Sequence, residues 1–378
     1  MSLQPFLQVV LGERDGRTSG AEIRNTANFE AASNLGAGEV FTLERLDRGA
    51  TGAAAPTVAA VAPHRIDALL ERVGVLRPRF MLFEGVALLA ALAATRRAFP
   101  GLSLVLDCHN VESSVEAATR GARLPVPVRF LTPLLQRRAL RRSRAADRDA
   151  ARLSDAVWFC SRVDLEAARE LSPLPQAHVV PNPIPRWALG TDHASRFPGE
   201  EVLFVGHLGY APNRRAVEEL CSSIMPRLRR MRPDARLHVC GRRPSPALAR
   251  EVETAGGRLT PDPDDLAGAY RRAGVVAVPL REGGGTRIKI LEALAVGRPV
   301  VATAKAVEGL GLVPGGQYVR AETPAEFAAA IAGLFNDGDA ARSLAVRGRA
   351  HVLAAFGPEA RQAAVREALG ALVSPPPR

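Results

Sequence analysis

The stretch from Val278 to Val301, VPLREGGGTRIKILEALAVGRPVV, constrains the fold of this chain more than any other. Val275 to Leu280 is a short, β-branched apolar run of the kind that forms a buried parallel strand. Gly283, Gly284 and Gly285 follow, and glycine lets a backbone turn sharply and approach a ligand closely. Ile288, Leu291, Leu294 and Ala295 then recur at spacings of three and four, which predicts a helix with one apolar face. Gly297 and Pro299 end that helix, and Pro299-Val300-Val301-Ala302 reads as the next strand. The unit is strand, glycine loop, helix, strand. The amino end of its helix offers unpaired N–H groups and a positive dipole end, which together bind anions, phosphate above all.

The charges sharpen this reading. Arg287 and Lys289 fall in the first turn or so of the predicted helix. Cations there oppose the helix dipole at a cost of about 0.3–1 kcal/mol each, and Lys289 before Glu292 is the less favourable order for a helical ion pair. A bound diphosphate would reverse the sign of that cost. Among 50 basic residues only Lys289 and Lys305 are lysines; a lysine kept where arginine is the habit points to a need for a compact point charge. The competing reading of these charges is a solvated basic face.

At 378 residues and 47% hydrophobic, the chain is long enough to bury two cores. No apolar run reaches the length of a membrane span. The amino terminus, MSLQPFLQVV, lacks a charged n-region and a cleavage site, so no signal peptide is expected. Cys108, Cys160, Cys221 and Cys240 show no C-x-x-C spacing and read as buried free thiols in a reducing cytoplasm. The net charge of +11 permits a nucleic acid, an anionic membrane or a phosphate-bearing substrate. With 3 tyrosines and 2 tryptophans there are few platforms on which bases could stack, so no nucleic-acid partner is expected.

Taken in order, the chain alternates strands and helices. Phe6 to Leu11 is a first strand, Gly12 to Gly20 a polar loop, and Ala21 to Asn34 a helix. Val40 to Leu43 and Arg79 to Phe83 are strands, and Arg48 to Pro63 is a Gly/Ala/Pro-rich loop. Ser103 to Leu106 is a strand ending in Asp107-Cys108-His109-Asn110-Val111-Glu112-Ser113. Polar residues bunched at the carboxyl end of a buried parallel strand are where ligands meet such sheets. His109 is therefore a candidate functional residue, with a satisfied structural histidine as the alternative. Val126 to Leu153 predicts an arginine-dense helix. It could lie on an anionic membrane leaflet or simply carry a wet face. Pro181-Asn182-Pro183-Ile184-Pro185 cannot continue a strand, and the interdomain linker is expected near Asn182 to Gly199. A second alternation follows: a strand over Val202 to Val205, one helix from Arg214 to Met231, a strand over Arg236 to Cys240, then the 278–301 unit and three closing helices. This predicts an α/β protein of two Rossmann-like, doubly wound domains facing a central cleft.

With these motifs assembled, the chain resembles the family 4 retaining glycosyltransferases, glycosyl transferases of group 1 with the GT-B fold. Val205-Gly206-His207-Leu208-Gly209-Tyr210-Ala211-Pro212-Asn213 is similar to the opening of that family's second domain. Gly285-Thr286-Arg287-Ile288-Lys289-Ile290-Leu291-Glu292-Ala293 resembles its nucleotide-binding helix in the "GTR-x-K-x-LEA" form. Pro299 to Thr303 with Glu308-Gly309-Leu310, and Asp107 to Ser113, complete the likeness. The resemblance implies an acceptor-binding domain over 1–185, a nucleotide-sugar-binding domain over 186–357, and a C-terminal helix, 358–378, packing back towards the first.

It also implies roles. Gly206, Gly283, Gly284, Gly285 and Thr286 would bind the donor, with Arg287 and Lys289 on the diphosphate and Glu292 accepting from ribose hydroxyls. The other reading of Glu292 is a surface glutamate paired with Lys289. Gly20, Ala21, Asn110 and Glu112 would lie on the acceptor side, and His109 near the transferring sugar. The activity implied is hexosyltransferase-type transfer with retention, onto a saccharide, lipid-linked or small-molecule acceptor, as in polysaccharide biosynthesis. No cofactor and no metal are expected. The setting would be cytoplasmic, with peripheral contact to the inner membrane face through the 126–153 helix. Two departures stand out. Counting back from Glu292, Gly284 occupies the place of the family's usual first glutamate, with Glu282 two places early. The usual Arg/Lys pair after the second domain's first strand is also missing, so phosphate charge would fall on Arg287, Lys289 and Arg281. A non-catalytic nucleotide-sugar-binding protein and a GT-B nucleotide-sugar epimerase are the alternatives.

Overall fold

Alternating apolar strands and amphipathic helices build two compact units, one from Met1–Pro183 with Glu359–Arg378, the other from Ile184–Pro358. The computed structural model describes residues 5–12, 20–46, 57–113, 132–190, 199–283 and 287–373. Gly284, Gly285 and Thr286, much of the 12–20 and 48–63 loops and the start of the 126–153 helix lie outside the described residues.

The first unit is a parallel sheet of strands β1 (Phe6–Gly12), β2 (Gly38–Glu44), β3 (Phe80–Glu84), β4 (Ser103–Cys108), β5 (Ala156–Phe159) and β6 (Gln176–Val179), in the order β2-β1-β3-β4-β5-β6. Its helices include α1 (Gly20–Ser33), α2 (Pro63–Leu76), α3 (Leu89–Ala98), α4 (Thr132–Leu153) and α5 (Arg162–Leu171). Strand order reverses between β1 and β3, and the crevice outside the carboxyl ends of strands at such a switch point is where doubly wound sheets bind ligands.

The second unit holds β7 (Glu201–His207), β8 (Arg236–Arg242), β9 (Arg258–Pro261), β10 (Val275–Val278), β11 (Val300–Ala302) and β12 (Val319–Arg320), in the order β12-β11-β10-β7-β8-β9. Its helices include α6 (Arg186–Leu189), α7 (Ala211–Glu219), α8 (Met225–Met231), α9 (Pro246–Thr254), α10 (Ala267–Arg272), α11 (Ile288–Ala295), α12 (Pro324–Asn336) and α13 (Gly338–Phe356). The reversal here lies between β7 and β10, so the 278–301 unit begins at the switch point. A last helix, α14 (Pro358–Val373), returns to the first unit. Its Val365, Ala368 and Leu369 share one core with Phe6, Phe80, Val105 and Trp158, the valine and leucine side chains contributing about 1.5–3 kcal/mol each before ordering entropy is counted.

Three local expectations change. The single helix expected over 214–231 is divided by a π-helical turn, Leu220–Ile224, because Pro226 has no N–H to continue the ladder. Helix α9 was not among the expected elements; its signal is the Ser245-Pro246 pair, Ser245 capping Leu248 N at 3.1 Å. Helix α11 does not show one apolar face. Ile290 through Ala295 are all buried, Glu292 included, while Ile288 is only half-buried. Among the described residues no helix is long and apolar enough to cross a membrane.

Candidate active site

In the second unit, β7 and β8 approach so closely at their carboxyl ends that a Cβ on Gly241 would stand 1.8 Å from the Gly206 carbonyl oxygen. Glycine at 241 permits this close approach, and just beyond it Leu208 N donates to Arg242 O at 2.7 Å. Asn213, near the start of α7, donates to His207 O at 3.0 Å and accepts from Lys289 Nζ at 2.7 Å. The Lys289 ammonium also lies 4.3 Å above the ring of Phe204, a cation–π contact. A Cβ on Gly206 would meet Lys289 Nζ at 2.8 Å, so that glycine is what admits the ammonium. Burial, then the charge of Arg287, pushes the Lys289 pKa down to about 7, against a weaker pull from Glu292.

Arg287 is the N-cap of α11, its carbonyl accepting from Ile290 N at 2.8 Å. Gly283 turns with φ 101°, and a Cβ there would meet Tyr210 Oη at 2.9 Å and Arg287 Nη2 at 3.2 Å. Tyr210, Gly283 and Arg287 thus crowd one turn. Arg281 is committed elsewhere, to Glu219 at 2.6 Å, and Glu282 pairs with Arg215.

Glu292 is not a surface partner of Lys289. It is 6% exposed, and its Oε2 accepts from Tyr270 Oη at 2.7 Å. Tyr270 Oη also lies 3.2 Å from Lys289 O, and its ring lies 5.5 Å from Trp187. Burial raises the Glu292 pKa against the opposing pull of Tyr270 and Lys289.

In the first unit, the strand ends at the switch point carry a buried polar network. Arg24 of α1 grips Asp107 at the end of β4 with two bonds of 2.7 and 2.6 Å, and donates to Val180 O and Asn182 Oδ1 at 2.9 Å each. Asn28, one turn on, donates to Glu84 and Asp107 at 3.0 Å. Gln8 of β1 also donates to Glu84. Arg361 of α14 donates to Asn28 Oδ1 and Pro181 O. His109 Nε2 meets Glu84 Oε2 at 3.2 Å.

Electrostatics follow from this packing. Burial would raise the Asp107 pKa, but the Arg24 guanidinium holds it at about 2. Burial, then the neighbouring Asp107 charge, raises that of Glu84. Burial would lower the His109 pKa, yet Glu84 and Asp107 raise it overall. Glu84, Asp107 and His109 each bring a potential metal-ligating atom within 4.8 Å of the others. Their lone pairs already receive Arg24, Asn28 and Gln8, so the set fits a hydrogen-bonded network better than a cation.

Of the other expected residues, Gly20 opens α1 and is exposed, Ala21 follows it half-buried, and Asn110 is half-buried beside His109. Glu112 belongs to a separate pair: its N–H donates to Asp147 Oδ1 at 3.3 Å, and burial, then the Asp147 charge, raises its carboxyl to about 7. The four cysteines are buried free thiols.

The arrangement of two doubly wound α/β units is the GT-B fold. Residues 199–337 match the family described as glycosyl transferases group 1. Solved structures resemble the chain over nearly its whole length. Sucrose-phosphate synthase of Thermosynechococcus elongatus has a TM-score of 0.73 at 18% identity, over 98% of this chain and 99% of that one. HepE of Anabaena, in complex with UDP and glucose, has 0.70 at 14%, over 97% and 100%. A TarM mutant of S. aureus, in complex with fondaparinux, α-GlcNAc-glycerol and UDP, has 0.63 at 11%, over 82% of this chain and 59% of that one. At these identities the likeness is one of fold. No curated protein matches the chain by sequence.

The Lys289 pKa predicts a pH dependence of stability. Between about 7 and the ordinary 10.5 the unfolded chain holds a proton that the folded one lacks, so this lysine destabilises the unliganded fold at low pH and is relieved as pH rises. The thermal midpoint of Lys289→Met should therefore exceed the parent's at pH 6 and converge with it towards pH 10. A difference that does not change with pH would contradict the assignment.

Proposed function

We propose that the protein is a glycosyltransferase that moves a sugar from a nucleoside-diphosphate donor to an acceptor hydroxyl with retention of configuration. The observation that carries this is the half-buried Lys289, its ammonium held at the amino end of α11 against the neutral groups of Asn213 and Phe204. A diphosphate would complete that site. Lys289, Arg287 and the amides of Gly284, Gly285 and Thr286 would neutralise the leaving group, with Gly206 and Gly283 giving the backbone room. Glu292, oriented by Tyr270, would accept the ribose hydroxyls. His109 would contact the transferring sugar, with Gly20, Ala21, Asn110 and Glu112 on the acceptor side.

Retention then needs the acceptor hydroxyl to enter on the face the diphosphate leaves, its proton passing to the departing phosphate oxygen. Catalysis is positioning and charge stabilisation, without a covalent nucleophile and without a metal. UDP in the HepE and TarM structures supports a UDP-linked sugar as the first donor class to test. A binding-only role is the second reading, favoured by Gly284 where the first glutamate of the usual pair would stand; measured turnover separates the two.

We further propose a lipid-linked or membrane-held acceptor, reached through α4, whose Arg137, Arg138, Arg141, Arg142 and Arg144 are exposed. Such a face attracts an anionic leaflet at about 1 kcal/mol per arginine. The protein should cosediment with phosphatidylserine vesicles and not with neutral ones, and reversing Arg137, Arg138 and Arg141 to Glu should abolish this. Equal binding to both vesicles would refute it.

A nucleotide at 100 times its dissociation constant should stabilise the fold by about 2.7 kcal/mol. In a thermal-shift panel of UDP, GDP, ADP and their sugars, at least one should do so. Lys289→Ala and Glu292→Ala should each lose most of the shift while remaining folded. Unchanged binding by both variants would remove the donor site from α11.

A further inference from the structure

Within the first unit's network, His109 is the member that reaches the surface. Its side chain is 20% exposed, while those of Glu84 and Asp107 are 0% exposed. Arg24 and Asn28 are 1% and 0% exposed. The buried edge of the imidazole is its Nε2, 3.2 Å from Glu84 Oε2 and 3.5 Å from Asp107 Oδ2. The other nitrogen, Nδ1, looks over the turn at Gly85. Gly85 has φ 101°, and a Cβ on it would find only His109 Nδ1, at 3.9 Å, within 4 Å among the described residues. A glycine that turns here without a side chain leaves open space beside that nitrogen.

Proton counting decides which nitrogen carries hydrogen. The Glu84 carboxyl collects amide N–H donors from several sides. Gln8 donates to Oε1, and the Asn28 amide nitrogen, 3.0 Å from both Glu84 oxygens and from Asp107 Oδ2, shares its two protons among the three. The Asn25 amide, oriented with its nitrogen inward, lies 3.0 Å from His109 Nε2, 3.1 Å from Glu84 Oε2 and 2.9 Å from Ala21 O. Its two protons have three acceptors in reach, and the two oxygens take them when Nε2 carries hydrogen. Donors on several sides favour the ionised Glu84 carboxyl against the burial and the Asp107 charge that raise its pKa. Asp107, kept ionised by Arg24, places a second acceptor, Oδ2, 3.5 Å from Nε2. The proton between Glu84 and His109 therefore sits on Nε2. The network is closed at its far end by Arg361, whose guanidinium reaches Asn28 Oδ1 and Pro181 O.

We propose that Glu84 is a positioning residue that locks His109 in the Nε2–H form and presents Nδ1 to the substrate, with Arg361 of α14 anchoring the clamp through Asn28. An unprotonated Nδ1 accepts from a sugar hydroxyl, and a protonated one donates to a sugar or phosphate oxygen. In either state the clamp aims the same atom. The partner of a functional histidine sets which nitrogen it offers, and here the partner is a buried glutamate on the neighbouring strand. The catalytic consequence rests on the sugar-transfer reading above; the clamp itself does not.

The test reads the free protein first. In 15N-histidine-labelled protein, the His109 signals, identified by their loss in His109→Gln, should show the Nε2–H form. In Glu84→Leu they should move to the Nδ1–H form or a mixture. Glu84→Gln, which can still accept at its amide oxygen, should retain Nε2–H. Arg361→Met should displace the same signals in the same direction as Glu84→Leu, and it reads the clamp if Glu84→Leu does not fold. With donor and acceptor present, Glu84→Leu should lower kcat by about 10- to 100-fold, the effect typical of a residue that orients an active-site group, with little change in KM and partial rescue in Glu84→Gln. An Nδ1–H parent, or His109 signals indifferent to both Glu84→Leu and Arg361→Met, would overturn the clamp. A parent that turns over no nucleotide sugar would count against the transfer reading alone.

Discussion

The second unit turns on one placement: a lysine ammonium held against Asn213, the Phe204 ring and the backbone at Gly206, at the amino end of α11. Every contact there requires something of the fold. Gly206 and Gly241 must lack side chains so that β7 and β8 can close up and the ammonium can enter. Asn213 must stand at the start of α7 to bridge the His207 carbonyl and the ammonium. The helix dipole, burial and Arg287 all work against a positive charge at this point. A charge kept where the protein's own field opposes it is the electrostatic basis of the proposed anion site.

The first unit is arranged the other way. Its buried charges neutralise one another: Arg24 with Asp107, Glu84 with His109, and Arg361 closing the network from α14. Such a network is costly to break, because removing one partner leaves a buried charge unpaired. It holds one edge of one imidazole and leaves the other edge to face outward. On the proposed reading, one unit stores a charge that a ligand completes, and the other fixes the direction of a side chain.

Much of this was legible in the sequence, and the parts that were not share a cause. The 278–301 unit, the His109 turn and the Gly206-to-Asn213 stretch announce themselves through glycines, prolines and apolar spacing, which are local signals. The family match over 199–337 covers the stretch where these signals are densest. Arg24, Gln8, Glu84, Tyr270 and Arg361 carry no local signal, because each works through a partner far away in the chain, Arg24 and Asp107 being 83 residues apart. Periodicity misjudged α11, whose first buried residue is Ile290 rather than Ile288, because a helix enclosed on nearly every side shows no single face. It also joined α7 to α8, since apolar spacing continues through the π-helical turn that Pro226 imposes.

The most direct test of the central claim is a crystal structure with a bound nucleoside-diphosphate sugar. The account predicts both phosphoryl groups at the turn before Ile288, with Lys289 Nζ within hydrogen-bond distance of a phosphate oxygen and Glu292 on the ribose. A ligand seated elsewhere, with the Lys289 ammonium still bonded to Asn213 and no phosphate in reach, would contradict it.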